Sequence, residues 1–323
     1  MQRCLGLLLL IVTVFATGDA ALAQSAYPTR PVKIICGFPA GTSLDIVTRI
    51  YAQKLEERLG QTFVVENRGG ASGNLATEAV MRSEADGYTL LSAGITQAIS
   101  MSLFKKVNFD ILKDFEPIGF LGSAPNILVV NVGLGVKSVP ELVALAKSRP
   151  GELTYGTAGV GTAPHMSGEL FNLMTGAKLA HVPYRGTNQA IIDLIGGRLS
   201  LMFSPAPTIV PHLKDPNLKF LATTSARRSS LVPDLPPLAE AGLPGFDTSL
   251  WYAMWAPKGT PQAIVKAINT ALVRATETDE VKRQLAVNGA DPMTASAEEF
   301  EAYVREEVKK WAKVVEFSGI KLD

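Results

Sequence analysis

The chain has 323 residues, of which 47% are hydrophobic and 19% are charged, and its formal net charge at pH 7 is +1. A nearly neutral chain lacks the basic surface that attracts nucleic acid or an anionic membrane, so we predict neither partner. With two cysteines and three histidines, the sequence also has few of the residues that build metal sites, and we predict no metal and no cofactor.

Residues 1–23 have the layout of a secretory signal peptide. Arg3 gives a basic start, residues 5–15 are apolar, and residues 21–23 read ALA, a small-x-small cleavage site. The apolar segment is shorter than the roughly 20 residues that a membrane-spanning helix needs. We therefore predict cleavage after residue 23 and export to the periplasm. Cys36 would then be the only cysteine of a 300-residue mature chain, and we predict that it is a small core residue.

Short apolar runs alternate with runs of helical period along the rest of the chain. In chain order, strands are predicted at residues 32–36, 63–65, 88–92, 127–130, 153–155, 181–183, 199–203, 219–223 and 250–256. Helices are predicted at residues 46–59, 75–82, 138–147, 164–174, 188–195, 261–276 and 297–317. Apolar strands separated by helices are typical of α/β proteins with parallel sheets that are covered on both faces.

The chain is expected to cross between two lobes near residues 124–130 and 247–256. The apolar strand at 250–256 comes immediately before two long amphipathic helices, which differ in composition from the preceding half-chain. The first lobe would consist of residues 24–125 and 247–323, and residues 126–246 would form a second lobe inserted into it.

Two glycine-containing loops each follow an apolar strand and run directly into a helix: FPAGTSLD at residues 38–45 and YGTAGVGTAPH at residues 155–165. Glycine permits a tight turn, and threonine then stands beside the first helical turn, whose N–H groups have no partner within the helix. Such a helix end binds anions through these donors and through the positive end of the helix dipole. Two such loops, facing each other across a cleft, would suit a small molecule with a carboxylate at each end.

Each loop also has a purely structural interpretation. Thr42-x-x-Asp45 has the spacing of a capping box, and the second loop lacks the third glycine of a dinucleotide fingerprint. His165 is a candidate general base, but no Ser-His-Asp, Cys-His or metal-ligand spacing accompanies it, so a core or cap-supporting histidine is favoured. We predict a binding protein rather than an enzyme. The alternative that stays open is an exported small hydrolase that uses His165 with Thr162 or Asp45.

Nearly all of the mature sequence resembles the substrate-binding proteins of tripartite tricarboxylate transporters, the Bug-type periplasmic receptors of bacteria. The segments that carry the resemblance are YPTRPVKIICGFPAGTSLDIVTRIYAQKLEERLGQTFVVENRGGASGN, ADGYTLL, YGTAGVGTAPHMSGELF, HVPYRGTNQAIIDLIGGRLSLMF, LPPLAEAGLPGF and EVKKWAKVVEFSGI. The resemblance implies a periplasmic-binding-protein fold, with two doubly wound α/β lobes around a ligand cleft. It implies capture of a mono- or dicarboxylate, or an aromatic acid, for delivery to membrane permease subunits. A ligand-sensing partner of a membrane signalling protein is a further alternative, and we expect a monomer.

The resemblance also implies site residues, because family members hold carboxylates mainly through backbone amides and hydroxyls of loops in both lobes. The implied ligand-binding residues are Phe38, Ala40, Gly41, Thr42, Asp45, Thr96, Ala158, Gly159, Gly161, Thr162, His165, Tyr184 and Ser204. The family typically has an aspartate where Ser204 stands, and its loss removes a partner for a ligand ammonium group. We therefore expect a plain or aromatic carboxylate rather than an amino acid, with Arg68 and Arg185 as additional candidates.

Overall fold

The structure is a computed structural model of the chain, and it describes residues 27–225, 228–229 and 231–320. The predicted signal peptide and its cleavage site lie outside the described residues. The strands are β1 Val32–Cys36, β2 Phe63–Asn67, β3 Thr89–Gly94, β4 Phe115–Ala124, β5 Asn126–Asn131, β6 Thr154–Thr157, β7 Ala180–Pro183, β8 Leu201–Pro205, β9 Leu218–Thr223 and β10 Leu250–Pro257. The α-helices are α1 Ser43–Leu59, α2 Asn74–Met81, α3 Ile95–Leu103, α4 Val139–Ser148, α5 Ala163–Thr175, α6 Thr187–Ile195, α7 Ala206–Ile209, α8 Gln262–Thr276, α9 Asp279–Val287 and α10 Ala297–Ser318. Within these ranges, no helix combines the length and the apolar character needed to cross a membrane.

The strands form two five-stranded sheets with corresponding strand orders. The first sheet has the order β2-β1-β3-β10-β4, and the second has the order β7-β6-β8-β5-β9. β1 pairs in parallel with β2 and β3, as β6 does with β7 and β8. β10 and β5 run antiparallel to both of their neighbours. The prediction of parallel sheets is therefore wrong for one strand of each sheet, β10 in the first and β5 in the second. Each of these is the first strand that the chain forms after crossing from the other sheet.

The chain leaves the first sheet between β4 and β5 and returns to it between β9 and β10. The two crossing segments lie side by side, since Thr224 N donates to Asn126 O at 2.9 Å and Thr248 N donates to Thr224 O at 2.9 Å. The two sheets thus belong to two lobes joined by two neighbouring connections. The residue limits given above for the lobes remain a prediction.

Both sheets are covered on both faces, as the sequence pattern predicted. In β5, Ile127 and Val129 belong to one apolar cluster and Leu128 and Val130 to another, because successive side chains point to opposite faces. All eight residues of β10 are buried at the centre of the first lobe. Cys36 is fully buried as well, which confirms its prediction as a core residue, and burial raises the pKa of its thiol to about 12.

Four elements have no counterpart in the sequence prediction: α3, β4, α7 and α9. β4 contains Pro117, Gly119 and Gly122, residue types that are rare inside strands, and its pairing with β10 shows two register shifts. α3 is buried along nearly its whole length, and its polar residues Thr96, Gln97 and Ser100 are buried too, so no charged, solvent-facing side marks this short segment as an amphipathic helix.

Candidate ligand-binding site

A cavity lies between the two lobes, at the carboxyl ends of the parallel strands of both sheets. This is where open α/β sheets bind their ligands. The cavity is small and partly open to solvent. Its first-lobe wall includes Phe38, Thr42 and Thr96, and its second-lobe wall includes Ala158, Thr162 and Thr187. Thr42 and Thr162, at the ends of the two glycine-containing loops, thus line the same space.

The two loops have the same backbone conformation. Gly41 and Gly161 both have φ +77°, a left-handed conformation that favours glycine. The next residue in each loop is the N-cap of the following helix, with φ −78° and ψ 162° at Thr42 and φ −72° and ψ 159° at Thr162. The local sequences GTSLD and GTAPH therefore build one turn twice, once in each lobe.

The threonine hydroxyls of these turns face their own loops. Thr42 Oγ1 donates to Pro39 O at 2.8 Å, and Thr162 Oγ1 donates to Gly159 O at 2.8 Å. Neither side chain caps its helix, so the capping-box interpretation of Thr42-x-x-Asp45 is wrong. Within the described residues, the first-turn amides of α1 and α5 receive no side-chain cap and remain available as donors.

Three helices elsewhere in the molecule begin with a side-chain cap. Ser138, Thr278 and Ser296 accept hydrogen bonds from first-turn amides of α4, α9 and α10, respectively. Each of these side chains satisfies a first-turn donor of its own helix. α2, α6, α7 and α8 have no side-chain cap either, so the absence of a cap is not particular to α1 and α5. The first turns of α1 and α5 line the cavity, however, and unpaired amides at that place suit an anionic ligand.

Asp45 and His165 occupy equivalent positions, four residues after the glycine of each loop. Gly41 N donates to Asp45 Oδ2 at 2.8 Å, and Gly161 N donates to His165 Nδ1 at 3.1 Å. Asp45 is 2% exposed, and its charge is balanced by Arg49 at 3.0 Å. Both side chains turn back to hold their own loops, and neither residue is part of the cavity lining.

His165 has the electrostatic environment of a neutral core residue. Burial, assisted by the neighbouring His181, lowers the pKa of His165 to about 3, and burial lowers the pKa of His181 to about 4. The two rings lie 4.2 Å apart, and His181 Nε2 is 2.7 Å from Thr157 Oγ1. At neutral pH, His165 Nδ1 must therefore be an acceptor, and it is used by Gly161. This arrangement supports the second loop and leaves His165 without the geometry of a general base.

Sequence reasoning did not identify Tyr252, whose ring lines the cavity from β10. Its side chain is 3% exposed, and its hydroxyl oxygen has no hydrogen-bond partner among the described residues. Burial raises the pKa of Tyr252, and the adjacent Ser43 side chain opposes that rise, although the two hydroxyls do not form a hydrogen bond of normal geometry. No local motif marks Tyr252, because β10 reaches the site only through tertiary folding.

The structure divides the thirteen residues expected in the site into three groups. Those that line the cavity are Phe38, Thr42, Thr96, Ala158 and Thr162. Gly159 and Tyr184 line a wider outer part of the cleft together with Arg185, and this part shares Phe38 and Ala158 with the cavity. Six others lie behind these walls or shape the turns: Ala40, Gly41, Asp45, Gly161, His165 and Ser204. Which of the thirteen contact a ligand stays a prediction.

The cavity wall carries no charged side chain among the described residues. Its polar groups are hydroxyls, one glutamine amide and the backbone amides of helix ends. The described part of the chain also contains no group of three or more His, Cys, Asp or Glu side chains that could hold a metal ion. The wall therefore offers neutral hydrogen-bond donors to a ligand, and neither a cation nor a carboxylate.

Comparison with known proteins places the chain among transport receptors. The sequence profile described as "Tripartite tricarboxylate transporter family receptor" matches residues 47–320. Protein BugT of Bordetella pertussis is 38% identical over 320 residues, which cover 98% of each chain. The structure of R. palustris Rpa4515 with adipate is similar with a TM-score of 0.88 and 36% identity, covering 91% of this chain and 99% of that one. MatC from Rhodopseudomonas palustris with bound malate gives a TM-score of 0.85 and 30% identity, covering 90% and 100%.

Proposed function

Because the chain belongs to the tripartite tricarboxylate transporter family of receptors, we propose that it captures a small organic carboxylate between its lobes for uptake by such a transporter. Family membership confirms the resemblance seen in the sequence and makes the chain a solute-binding protein rather than an enzyme. Receptors of this family are periplasmic. We further propose that this one reaches the periplasm by cleavage of residues 1–23, acts as a monomer and docks to the permease subunits.

The observation that carries this proposal is the pair of uncapped helix ends, from α1 and α5, that meet at one cavity without a charged side chain. Hydrogen bonds to a charged group contribute about 1.5–3 kcal/mol each. Micromolar affinity requires about −8 kcal/mol, so roughly four to six such bonds suffice after the loss of translational and rotational freedom. Amides and hydroxyls can thus hold a carboxylate here without an arginine.

The neutral wall also supports a particular ligand class. An α-amino acid would bring an ammonium group into a space that has no carboxylate among its described lining residues, and a buried unpaired charge is strongly unfavourable. Adipate and malate, named with the two similar structures, carry no ammonium group. We therefore propose a mono- or dicarboxylic or aromatic acid that lacks an amino group.

A thermal-shift and calorimetric panel tests this function. The protein is unfolded and refolded first to remove any acid that purifies with it, and native mass spectrometry of the untreated protein identifies that acid directly. Matched pairs, succinate with aspartate and glutarate with glutamate, separate the carboxylate from the ammonium group, and adipate, malate and benzoate extend the range. We expect at least one plain acid to raise the melting temperature, because ligand binding stabilises the native state.

Two outcomes would count against the proposal. If refolded, correctly folded protein responds to no acid of the panel, carboxylate capture is wrong. If aspartate or glutamate binds as tightly as its matched plain acid, the proposed ligand class is wrong although carboxylate capture stands.

A further inference from the structure

The hydroxyl of Tyr252 is an exception among the buried tyrosines. Tyr51 OH lies 2.7 Å from Thr276 Oγ1, and Tyr155 OH donates to Glu169 at 2.6 Å. Tyr252 OH is fully buried and has no partner within the described part of the chain. Buried hydroxyls in folded proteins are nearly always hydrogen-bonded, and an unpaired one calls for an explanation.

The location of the Tyr252 hydroxyl explains why it has no partner within the part of the protein that the structure describes. Several buried side-chain atoms lack a partner among the described residues, including those of Ser204, Thr208 and Trp255, but of these residues only Tyr252 lines the cavity. The hydroxyls of Thr42 and Thr162 donate to carbonyls of their own loops. Tyr252 therefore brings an unpaired hydroxyl to the cavity wall, and among these residues it is the candidate donor to a ligand there.

We propose that the Tyr252 hydroxyl donates a hydrogen bond to a second oxygen group of the bound acid, distinct from the carboxylate held at the ends of α1 and α5. This inference rests on the proposed function and names the ligand more narrowly: a dicarboxylate, or an acid with a further hydroxyl or carbonyl oxygen, rather than a simple monocarboxylate.

We assign a second ligand oxygen to Tyr252 because its hydroxyl comes from a different element than the amide donors of α1 and α5. The two helix ends come from loops on opposite lobes and together supply enough amides for one carboxylate. Tyr252 comes instead from β10, a central strand of the first sheet, where it lies opposite Gly94 at the start of α3. Burial raises the pKa of Tyr252, so the phenol keeps its proton and acts as a donor at physiological pH. The matching group on the ligand is an acceptor, such as a carboxylate or carbonyl oxygen.

Tyr252→Phe tests the assignment because it removes one oxygen and keeps the ring. Affinities of refolded protein are measured by calorimetry for acids that differ in one carboxylate: succinate with butyrate, glutarate with pentanoate, and adipate with hexanoate. We expect Tyr252→Phe to weaken the best-bound diacid by about tenfold or more, which corresponds to about 1.4 kcal/mol. The affinity for the matching monoacid should change less than about twofold.

Tyr51→Phe is the matched control, since Tyr51 is also buried but lies outside the cavity lining and its hydroxyl has a protein partner. It should leave all affinities unchanged and should lower the stability of the ligand-free protein. Tyr252→Phe should leave that stability unchanged or raise it, because an unpaired hydroxyl is lost. This difference separates a role in ligand binding from a role in folding.

The outcomes distinguish the two proposals. If the wild type binds diacids and Tyr252→Phe binds them equally well, the role of Tyr252 is overturned and the proposed function stands. If the variant loses diacid and monoacid affinity equally, the hydroxyl contacts the first carboxylate, and the assignment to a second oxygen is wrong. If the folded wild type binds no acid of the series or of the larger panel, the proposed function itself fails.

Discussion

At the scale of single residues, Asp45 and His165 have the same structural role, although one is a carboxylic acid residue and the other an imidazole. Each accepts the N–H of the glycine four residues earlier and so fixes the turn that points a helix end at the cavity. Asp45 does so as a carboxylate that also accepts from Asn67 Nδ2 at 2.8 Å, and His165 does so as a neutral imidazole. Sequence reasoning placed both residues at the site, but it could not establish that their side chains hydrogen-bond back to their own loops.

Replacing Asp45 should loosen the first loop. Asp45→Ala leaves the Gly41 amide without its acceptor and the Arg49 charge without its partner, and it removes one of the two acceptors of Asn67 Nδ2, which keeps Phe38 O. We expect a loss of about 3 kcal/mol in the free energy of unfolding, together with weaker acid binding. Asp45→Asn keeps one acceptor oxygen and should lose less. Urea unfolding and calorimetry measure both effects, and the exposed Asp234, changed to Ala, should alter neither. Wild-type stability in Asp45→Ala would contradict the supporting role.

The second loop should be sensitive to acid. The pKa of an ordinary histidine is about 6.5, whereas the native pKa is about 3 for His165 and about 4 for His181. Between pH 6.5 and these lower values, the unfolded state therefore binds more protons than the native state. Stability is therefore fully present above pH 6.5 and falls as the pH drops from 6.5 toward 4. The limiting slope is about 1.4 kcal/mol per pH unit for each histidine.

His165→Asn separates this titration from the structural role. The asparagine oxygen can accept from Gly161 N as Nδ1 does, but it does not titrate. We expect urea unfolding between pH 4 and 7 to show a shallower dependence on pH than the wild type, with acid binding at pH 7 retained. His212→Asn, outside this histidine pair, should keep the wild-type slope. An unchanged slope in His165→Asn would show that His165 is not the group that confers acid sensitivity.

At the scale of elements, the sequence predicts best where a segment has one apolar and one polar face or is a short continuous apolar run. The predicted strand at 32–36 and the helix at 46–59 match β1 and α1 to within three residues, because their burial patterns follow the expected periods. α3, with ITQAISMSL, lacks a charged face: seven of its nine residues are buried and its polar residues are uncharged. β4 was not predicted because proline and glycine are typical of turns.

Strand direction is another property that local pattern does not contain. β5 and β10 have the same continuous apolar character as the parallel strands of their sheets, because a strand that is buried on both faces has the same apolar pattern in either direction. Their antiparallel pairing follows from where the chain crosses between the lobes, which is a property of the whole connection. The same holds for Tyr252, which belongs to the site only because β10 inserts next to β3.

Replacing the glycine in the turn before α5 should lower acid affinity, whereas replacing the glycine in the turn after it should not. Gly161 and Gly176 flank this helix with φ +77° and +69°, so alanine at either position is strained by roughly 1–2 kcal/mol. A Cβ at Gly161 would also lie 2.7 Å from a Leu103 side-chain atom in the first lobe, whereas a Cβ at Gly176 meets nothing within 4 Å. We expect both variants to lose similar stability and only Gly161→Ala to lose acid affinity. Calorimetry and urea unfolding measure the two quantities, and equal affinities would contradict a contact between the lobes at this turn.

At the scale of the whole molecule, the two lobes repeat one architecture. Their strand orders correspond, each has one antiparallel strand, and each contributes the same glycine-threonine turn to the cavity. A ligand between them can therefore receive amide donors from opposite sides, with one N–H fewer at α5, because Pro164 stands in its first turn. Binding to both sets at once requires the lobes to be held together, which couples ligand capture to the relative position of the lobes.

The connections that allow such movement carry a buried polar cluster. Asn126, Ser167, Thr224 and Thr248 are all fully buried. Ser167 Oγ lies 2.6 Å from Thr248 Oγ1 and accepts from Asn126 Nδ2 at 3.2 Å, and Asn126 N donates to Thr224 Oγ1 at 3.1 Å. Ser167 belongs to α5, whose first turn lines the cavity. The hydrogen bonds thus connect both crossing segments to the helix whose first turn lines the cavity.

A contact across the mouth of the cleft provides the test of lobe closure. The Ser72 hydroxyl of the first lobe donates to Val160 O of the second, beside the outer part of the cleft. We expect Ser72→Ala to weaken acid binding by about three- to tenfold, the range of one hydrogen bond, mainly through faster dissociation, because the contact forms only while the lobes are together. Stability without ligand should not change.

The control is Ser83→Ala, which removes a hydroxyl that is hydrogen-bonded to Val80 O at 2.7 Å within one lobe. It should leave the dissociation rate unchanged. Stopped-flow displacement of a bound acid measures the rate. A wild-type dissociation rate in Ser72→Ala would mean that this contact does not hold the lobes around the ligand.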